Sequence, residues 1–215
     1  MRKKVVIVAK GATSFTRYLK ELGVDVYTAG EQPSDIQGAM LSECEAIYWD
    51  MSTLVNPRTC HLVRSLLLSV PRTCERILYF NLKEPDAERL HLIKLSLKCC
   101  DLLKIDSREF VMVCNLLGLT SPHSFDNGFE LMAHYHIKTL ILTYGIRGCH
   151  VFHGSAVSEK WGMTTNVSHQ SEEAESAFLA AFFVASQEPH RLFTECHRIA
   201  FDYMRQQNEK DFKIY

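Results

Sequence analysis

The sequence predicts a three-layer α/β/α domain around a mostly parallel sheet, and three observations lead there. Short β-branched runs alternate with amphipathic stretches of helical period, the pattern of repeated βα units rather than of a sandwich or a bundle. Several runs, Val5-Val6-Ile7-Val8-Ala9 among them, are apolar throughout, as expected of strands covered by helices on both faces. The 215 residues are 47% hydrophobic, enough for one sizeable core, and no repeat or Pro/Gly-rich linker divides them.

The elements follow in order. A first strand, Val5 to Ala9, precedes a helix whose apolar face is Phe15, Tyr18, Leu19 and Leu22, ending at Gly23, a residue suited to a left-handed C-cap. Val24 to Thr28 is the second strand. From Thr28 to Glu45, Gly30, Pro33 and Gly38 interrupt any period, so no element is assigned. After a third strand, Ala46 to Asp50, Asn56-Pro57 supplies an N-cap and a first-turn proline for a helix through Leu68. Ile77 to Phe80 is the fourth strand, and Leu90, Ile93 and Leu97 mark the crossover helix after it. Leu102 to Ile105 is the fifth, followed by a helix capped by Asp106 or Ser107 that runs to Gly118. Ser124 opens another, ending near Tyr135, before the sixth strand, Thr139 to Thr143. Cys149 to Phe152, His153-Gly154-Ser155 and Ala156-Val157 read as a small hairpin. Two helices, about Ser171 to Ser186 and Arg191 to Gln206, complete the pattern.

Composition narrows the function. With 24 basic and 25 acidic residues mixed along the chain, there is no electrostatic footprint for a polyanion, and nucleic acid is not an expected partner. No apolar stretch approaches the roughly 18 residues that span a bilayer, so no membrane partner is expected either. Arg2-Lys3-Lys4 and the apolar run after it imitate a signal peptide, but the run stops at Lys10 without a small-residue cleavage site. Eight cysteines without paired spacing fit a reducing, cytoplasmic setting, where the sequon Asn166-Val167-Ser168 is accidental. Cys99-Cys100 reads as packing, Tyr48-Trp49 and Phe182-Phe183 as core aromatics, and the histidines of His134-Tyr135-His136 and His150 to His153 as surface or loop groups. Lys83, Glu84 and Asp86 read as a solvated loop.

In an open α/β sheet, ligands bind beyond the carboxyl ends of the strands. Three such segments carry candidate chemistry. Lys10-Gly11-Ala12-Thr13-Ser14 leads into a helix N-terminus that can hold an anion, or is a plain capped turn. Asp106 and Glu109, three apart on a first helical turn, can flank a hydrated Mg²⁺; equally, Asp106 is a cap and Glu109 favours the helix dipole. Thr143-Tyr144-Gly145-Ile146-Arg147-Gly148 offers a hydroxyl and a tight bend of backbone N–H groups to a phosphate, or Gly148 simply starts the hairpin.

The last two segments, in this order and spacing, resemble the ribokinase-like (PfkB) family of carbohydrate kinases. Asp101 to Glu109 looks like that family's strand ending in an NxxE motif, and Thr143 to Gly148 matches its TxGxxG motif. Ile77 to Asn81 sits where the family has a strand closing on Asp-Pro-Asn, and Ala177 to Phe182 continues into the helix after its GAGD signature. The resemblance runs from roughly Leu41 to Phe183. It implies a ribokinase-like sheet, ATP and Mg²⁺ as cofactors, Thr143, Gly145 and Gly148 at the nucleotide, and Asp106 and Glu109 at the metal.

Aligning Ala177-Phe178 with the family's Ala-Phe lays Glu173, Ala174, Glu175 and Ser176 on the four GAGD positions. Glu173 and Glu175 replace the glycines whose amides stabilise the migrating phosphoryl group, and Ser176 replaces the Asp that takes the hydroxyl proton. A carboxylate about 6 Å from a phosphate charge, at an effective dielectric near 20, opposes it by roughly 3 kcal/mol, about a hundredfold in affinity. Glu172, Glu173 and Glu175, with Ser171 as N-cap, therefore place the chain's own anions at that helix start. A serine cannot act as a carboxylate base at neutral pH, a loss of roughly 10² to 10⁴ in rate. The connections after the first and second strands are too short for the family's lid strands, through which members often pair, so a homodimer would form by another surface.

The leading expectation is a catalytically degenerate carbohydrate-kinase relative, with at most weak nucleotide binding and no identified acceptor. The alternatives are an active ATP-dependent phosphotransferase acting on a sugar or another small hydroxyl compound, with Glu173 or Glu175 as base, and a non-catalytic regulatory or interaction domain.

Overall fold

Strands β1 (Lys4–Val8), β2 (Asp25–Ala29), β3 (Ala46–Asp50), β4 (Glu75–Tyr79), β5 (Leu102–Asp106), β6 (Thr139–Thr143), β7 (Gly148–His153) and β8 (Ala156–Trp161) join in one sheet. Their order is β2-β1-β3-β4-β5-β6-β7-β8. The computed structural model describes residues 3–8, 13–29, 41–82, 85–121, 123–145, 147–161 and 171–212. The first six strands are parallel, while β7 and β8 run antiparallel after the tight turns at Gly145 and Gly154. The described helices are α1 (Ser14–Glu21), α2 (Met51–Leu54), α3 (Pro57–Ser69), α4 (Leu90–Cys99), α5 (Ser107–Leu117), α6 (Ser124–Tyr135), α7 (Ser171–Ser186) and α8 (Phe193–Phe212).

The caps read from the sequence are in place. Thr13 accepts from the Thr16 amide at 3.2 Å to start α1, and Asn56 accepts from the Arg58 amide at 2.9 Å to start α3. Asp106 accepts from the Arg108 amide at 2.8 Å, and α5 stops at Gly118, whose φ of 77° is left-handed backbone. The short α2 was not expected. The Asp50 carboxylate creates it, accepting from the Ser52 hydroxyl (2.6 Å) and from the amide and hydroxyl of Thr53 (2.7 Å each). The last helix starts at Phe193 rather than Arg191 and runs past Gln206 to Phe212.

Strand alternation sorts the core into two layers. On one face Leu78, Leu103 and Ile105 pack against α3, α4, α5 and α6, with Leu62, Ile93, Phe110 and Leu131 buried between. On the other, Val5, Ile77, Leu102 and Ile141 meet Phe15 of α1, Phe178 and Phe182 of α7 and Ala200 of α8. Helices thus cover both faces, which is the expected three-layer arrangement. Every described strand belongs to this sheet. The segments where a lid would be inserted, residues 9–12 and 30–40, lie outside the described residues.

Candidate functional site

The carboxyl ends of β4, β5 and β6 bring together Tyr79, Lys104 and Thr143. Register pairs Tyr79 with Lys104 and Asp106 with Thr143, and alternation turns all three side chains of the first set toward the face covered by α7. There they meet Glu175, in the first turns of α7. The Lys104 ammonium donates to Glu175 Oε2, and Thr143 Oγ1 donates to Glu175 Oε1 at 2.9 Å. The Tyr79 hydroxyl stands 3.5 Å from Glu175 Oε2, while its ring lies 4.3 Å beneath the Lys104 ammonium in a cation–π contact.

The side chains of Lys104 and Glu175 are only 2% and 13% exposed. Neither charge is tolerable there alone, since removing an ion from water costs several kcal/mol unless a partner and hydrogen bonds compensate. The arrangement is therefore a closed polar unit: one cation, one anion, two hydroxyl donors and one aromatic face.

The candidate residues fare differently. Thr143, expected to offer its hydroxyl to a phosphate, directs its single proton at Glu175, with the Ile105 carbonyl a more distant acceptor at 3.5 Å. Gly145 takes φ 60°, the conformation for which glycine was expected, but the bend closes on itself. The Gly148 amide donates to the Gly145 carbonyl (3.3 Å) and the Tyr144 amide to the Gly148 carbonyl (2.9 Å), so Gly148 starts β7. Asp106 is a helix cap, and its carboxylate also stands 3.4 Å from Arg108 Nε. Burial pushes the Glu109 carboxyl up to about 7; Lys104 opposes this, and Asp106 and Glu175 add to it.

Of the three glutamates expected to act together, Glu175 is the one whose described side chain turns in to Lys104 and Thr143. Glu173 faces away, 3.5 Å from Arg17 on α1 and 43% exposed, because helical geometry turns residues two apart to different sides. Ser176 lies half-buried next to it, without a carboxylate to offer as a base. The side chains of Ser171 and Glu172 lie outside the described residues, as do Lys10, Gly11, Ala12, Lys83, Glu84 and the sequon at Asn166. Asn81, at the Asp-Pro-Asn position, accepts from the Ser52 amide at 3.0 Å and so braces α2.

Two features were missed. Lys104 is the hub of the site, and its signal was present: a lone cation inside Leu102-Leu103-Lys104-Ile105, a run otherwise apolar and buried. The second is a Cys149–His197–Ser158 relay, with Sγ and Nε2 3.1 Å apart and Nδ1 and Oγ 2.9 Å apart. It imitates a nucleophilic constellation, but burial pushes the Cys149 thiol up to about 12 and the His197 imidazole down to about 4. A protonated thiol donating to a neutral imidazole is a packing device, not a nucleophile. His150 corrects the surface reading of the histidines: it is 3% exposed, with Nδ1 3.0 Å from the Tyr144 hydroxyl.

Asp106 and Glu109, expected at a Mg²⁺, offer it two carboxylates. Among the described residues no group of three His, Cys, Asp or Glu side chains could hold an ion. Asp106 is engaged in capping, Glu109 holds its proton up to about pH 7, and Glu175 is neutralised by Lys104. Nor is any described helix long and apolar enough to cross a membrane.

No protein-family model matches this sequence, and no curated protein is similar to it in sequence. Solved structures, by contrast, match over almost the whole chain. A fructokinase with bound ATP from Xylella fastidiosa superposes with a TM-score of 0.63 at 12% identity, covering 93% of this chain and 71% of its own. The aminoimidazole riboside kinase from Salmonella enterica gives 0.65 at 16%, covering 94% and 77%. The ADP complex of Bacillus subtilis pyridoxal kinase gives 0.64 at 12%, covering 94% and 90%.

Proposed function

Starting from a ribokinase-like fold shared with ATP-dependent small-molecule kinases, we propose that this chain is a catalytically degenerate relative of the carbohydrate kinases, with at most weak nucleotide binding. One observation carries the reading. The Glu175 carboxylate, on a GAGD glycine position, takes the Lys104 ammonium and the Thr143 hydroxyl proton that an incoming phosphate would need. The chain's own anion occupies the position of the ligand's, and Ser176 leaves the base position without a carboxylate. Glu175 is a poor substitute base, because both of its oxygens are already engaged, by Lys104 and by Thr143. Weak nucleotide contact through Thr143, Gly145 and Gly148 would require that pair to open first.

Isothermal titration with ATP and ADP in Mg²⁺, beside a coupled ADP-release screen over sugars and vitamin precursors, tests the proposal. Weak or undetectable binding and no release above background are expected. Submicromolar ATP affinity with turnover on any acceptor would overturn it in favour of an active phosphotransferase.

A further inference from the structure

A cavity of about 540 Å³ opens between α3 and α4, over β3 and β4. It lies on the opposite face of the sheet from Lys104 and Glu175. Leu54, Val63, Leu67 and Leu92 make its walls aliphatic, and Leu68, at its mouth, is 88% exposed. Such a volume is in the range of small-molecule sites.

Its polar groups are one-sided. Trp49 and Arg76 both line the cavity, and the register Ile47↔Arg76 and Trp49↔Leu78 puts both on this face of the sheet. Trp49 is 1% exposed, yet its indole N–H has no acceptor, and neither has the buried Arg76 Nε. Two orphaned donors in one wall are unusual, because buried N–H groups almost always find partners. Arg64 and Arg76, both lining the space, form no ion pair with the described residues. The Ser96 hydroxyl is engaged with the Leu92 carbonyl at 2.8 Å. What the cavity lacks is an acceptor carrying negative charge, attached to an apolar body.

We propose that this cavity binds a small carboxylate amphiphile, a medium-chain aliphatic acid, with its carboxylate at Arg64 and Arg76 and its chain against the leucine and valine walls. A carboxylate matches the planar guanidinium fork, and walls that are aliphatic apart from Trp49 suit a flexible chain.

The test is a fluorescence titration of the full chain carrying Trp161→Phe, so that emission reports Trp49 alone. The probes are decanoate and decanol, each below its aggregation concentration. Decanoate should give a saturable change, binding at least about tenfold tighter than decanol. Arg64→Gln and Arg76→Gln should each weaken decanoate about tenfold and leave decanol unchanged. Arg64 is exposed, so its variant remains informative even if the Arg76 variant misfolds. Equal affinity for the two probes, no saturable change, or decanoate binding indifferent to Arg64→Gln would each overturn the proposal. None of these outcomes depends on nucleotide binding at Glu175.

Discussion

Glu175→Gln separates a closed site from an open one. The substitution keeps an acceptor for the Thr143 hydroxyl but leaves the Lys104 ammonium buried without its anion. Because the two side chains are 2% and 13% exposed, the small energies of surface ion pairs do not apply. Breaking a buried pair from one side costs about 3–5 kcal/mol. For a domain of this size each kcal/mol shifts Tm by about 2–4 °C, so a loss of about 6–20 °C is expected by calorimetry at neutral pH. Adding Lys104→Met should recover most of that loss, because the stranded charge disappears with its partner. The same removal relieves the repulsion of a phosphate, worth roughly 3 kcal/mol at about 6 Å and an effective dielectric near 20. MgATP affinity in Glu175→Gln should therefore rise about a hundredfold, and ATP should raise its Tm. A variant within about 1 kcal/mol of the parent and no better at binding ATP would refute the argument that Glu175 fills the anion seat.

Other expectations follow from buried titrating groups and from one glycine. Burial lowers the His197 imidazole from 6.5 to about 4, so the unfolded chain binds more protons in that window, and stability falls as pH drops from about 6.5 to about 4. At about 1.4 kcal/mol per pK unit this amounts to roughly 3 kcal/mol, read as the difference between urea-unfolding pH profiles of the parent and His197→Asn; identical slopes would contradict it. Glu75 has the opposite sign: burial, with Asp101 adding, raises its carboxyl to about 7, so its penalty is absent below about pH 4.5 and grows as pH rises through 7. Glu75→Gln, which retains a polar partner for Gln187 Nε2 (2.7 Å), should gain about 2 kcal/mol on the parent between pH 5 and pH 8, measured by the same denaturation. Gly118→Ala should cost about 1 kcal/mol, because φ is 77° although nothing lies within 4 Å of an added Cβ, and a neutral result would show that the C-cap relaxes.

The layered architecture was legible because its signals are local. Asn56-Pro57, Asp106 and Gly118 bound their helices through bonds spanning two to five residues, and the apolar runs announce strands wherever helices cover both faces. Boundaries slipped where the local signal was split, as at Asp50, whose carboxylate serves a helix turn that no hydrophobic period marks. The candidate site was half legible. The resemblance drew attention to Glu172, Glu173 and Glu175 as a cluster of anions at that helix start, but their sequence neighbours could not say which of the three turns inward.

The sequence by itself determined the alternation of strands and helices and their caps, since each depends on neighbours within a few positions. Only the tertiary structure decided that Lys104 meets Glu175, 71 residues away, and that Arg76 shares a cavity wall with Trp49. Those pairings depend on strand order and register, which set which side chains share a face and which charges must neutralise one another once water is excluded.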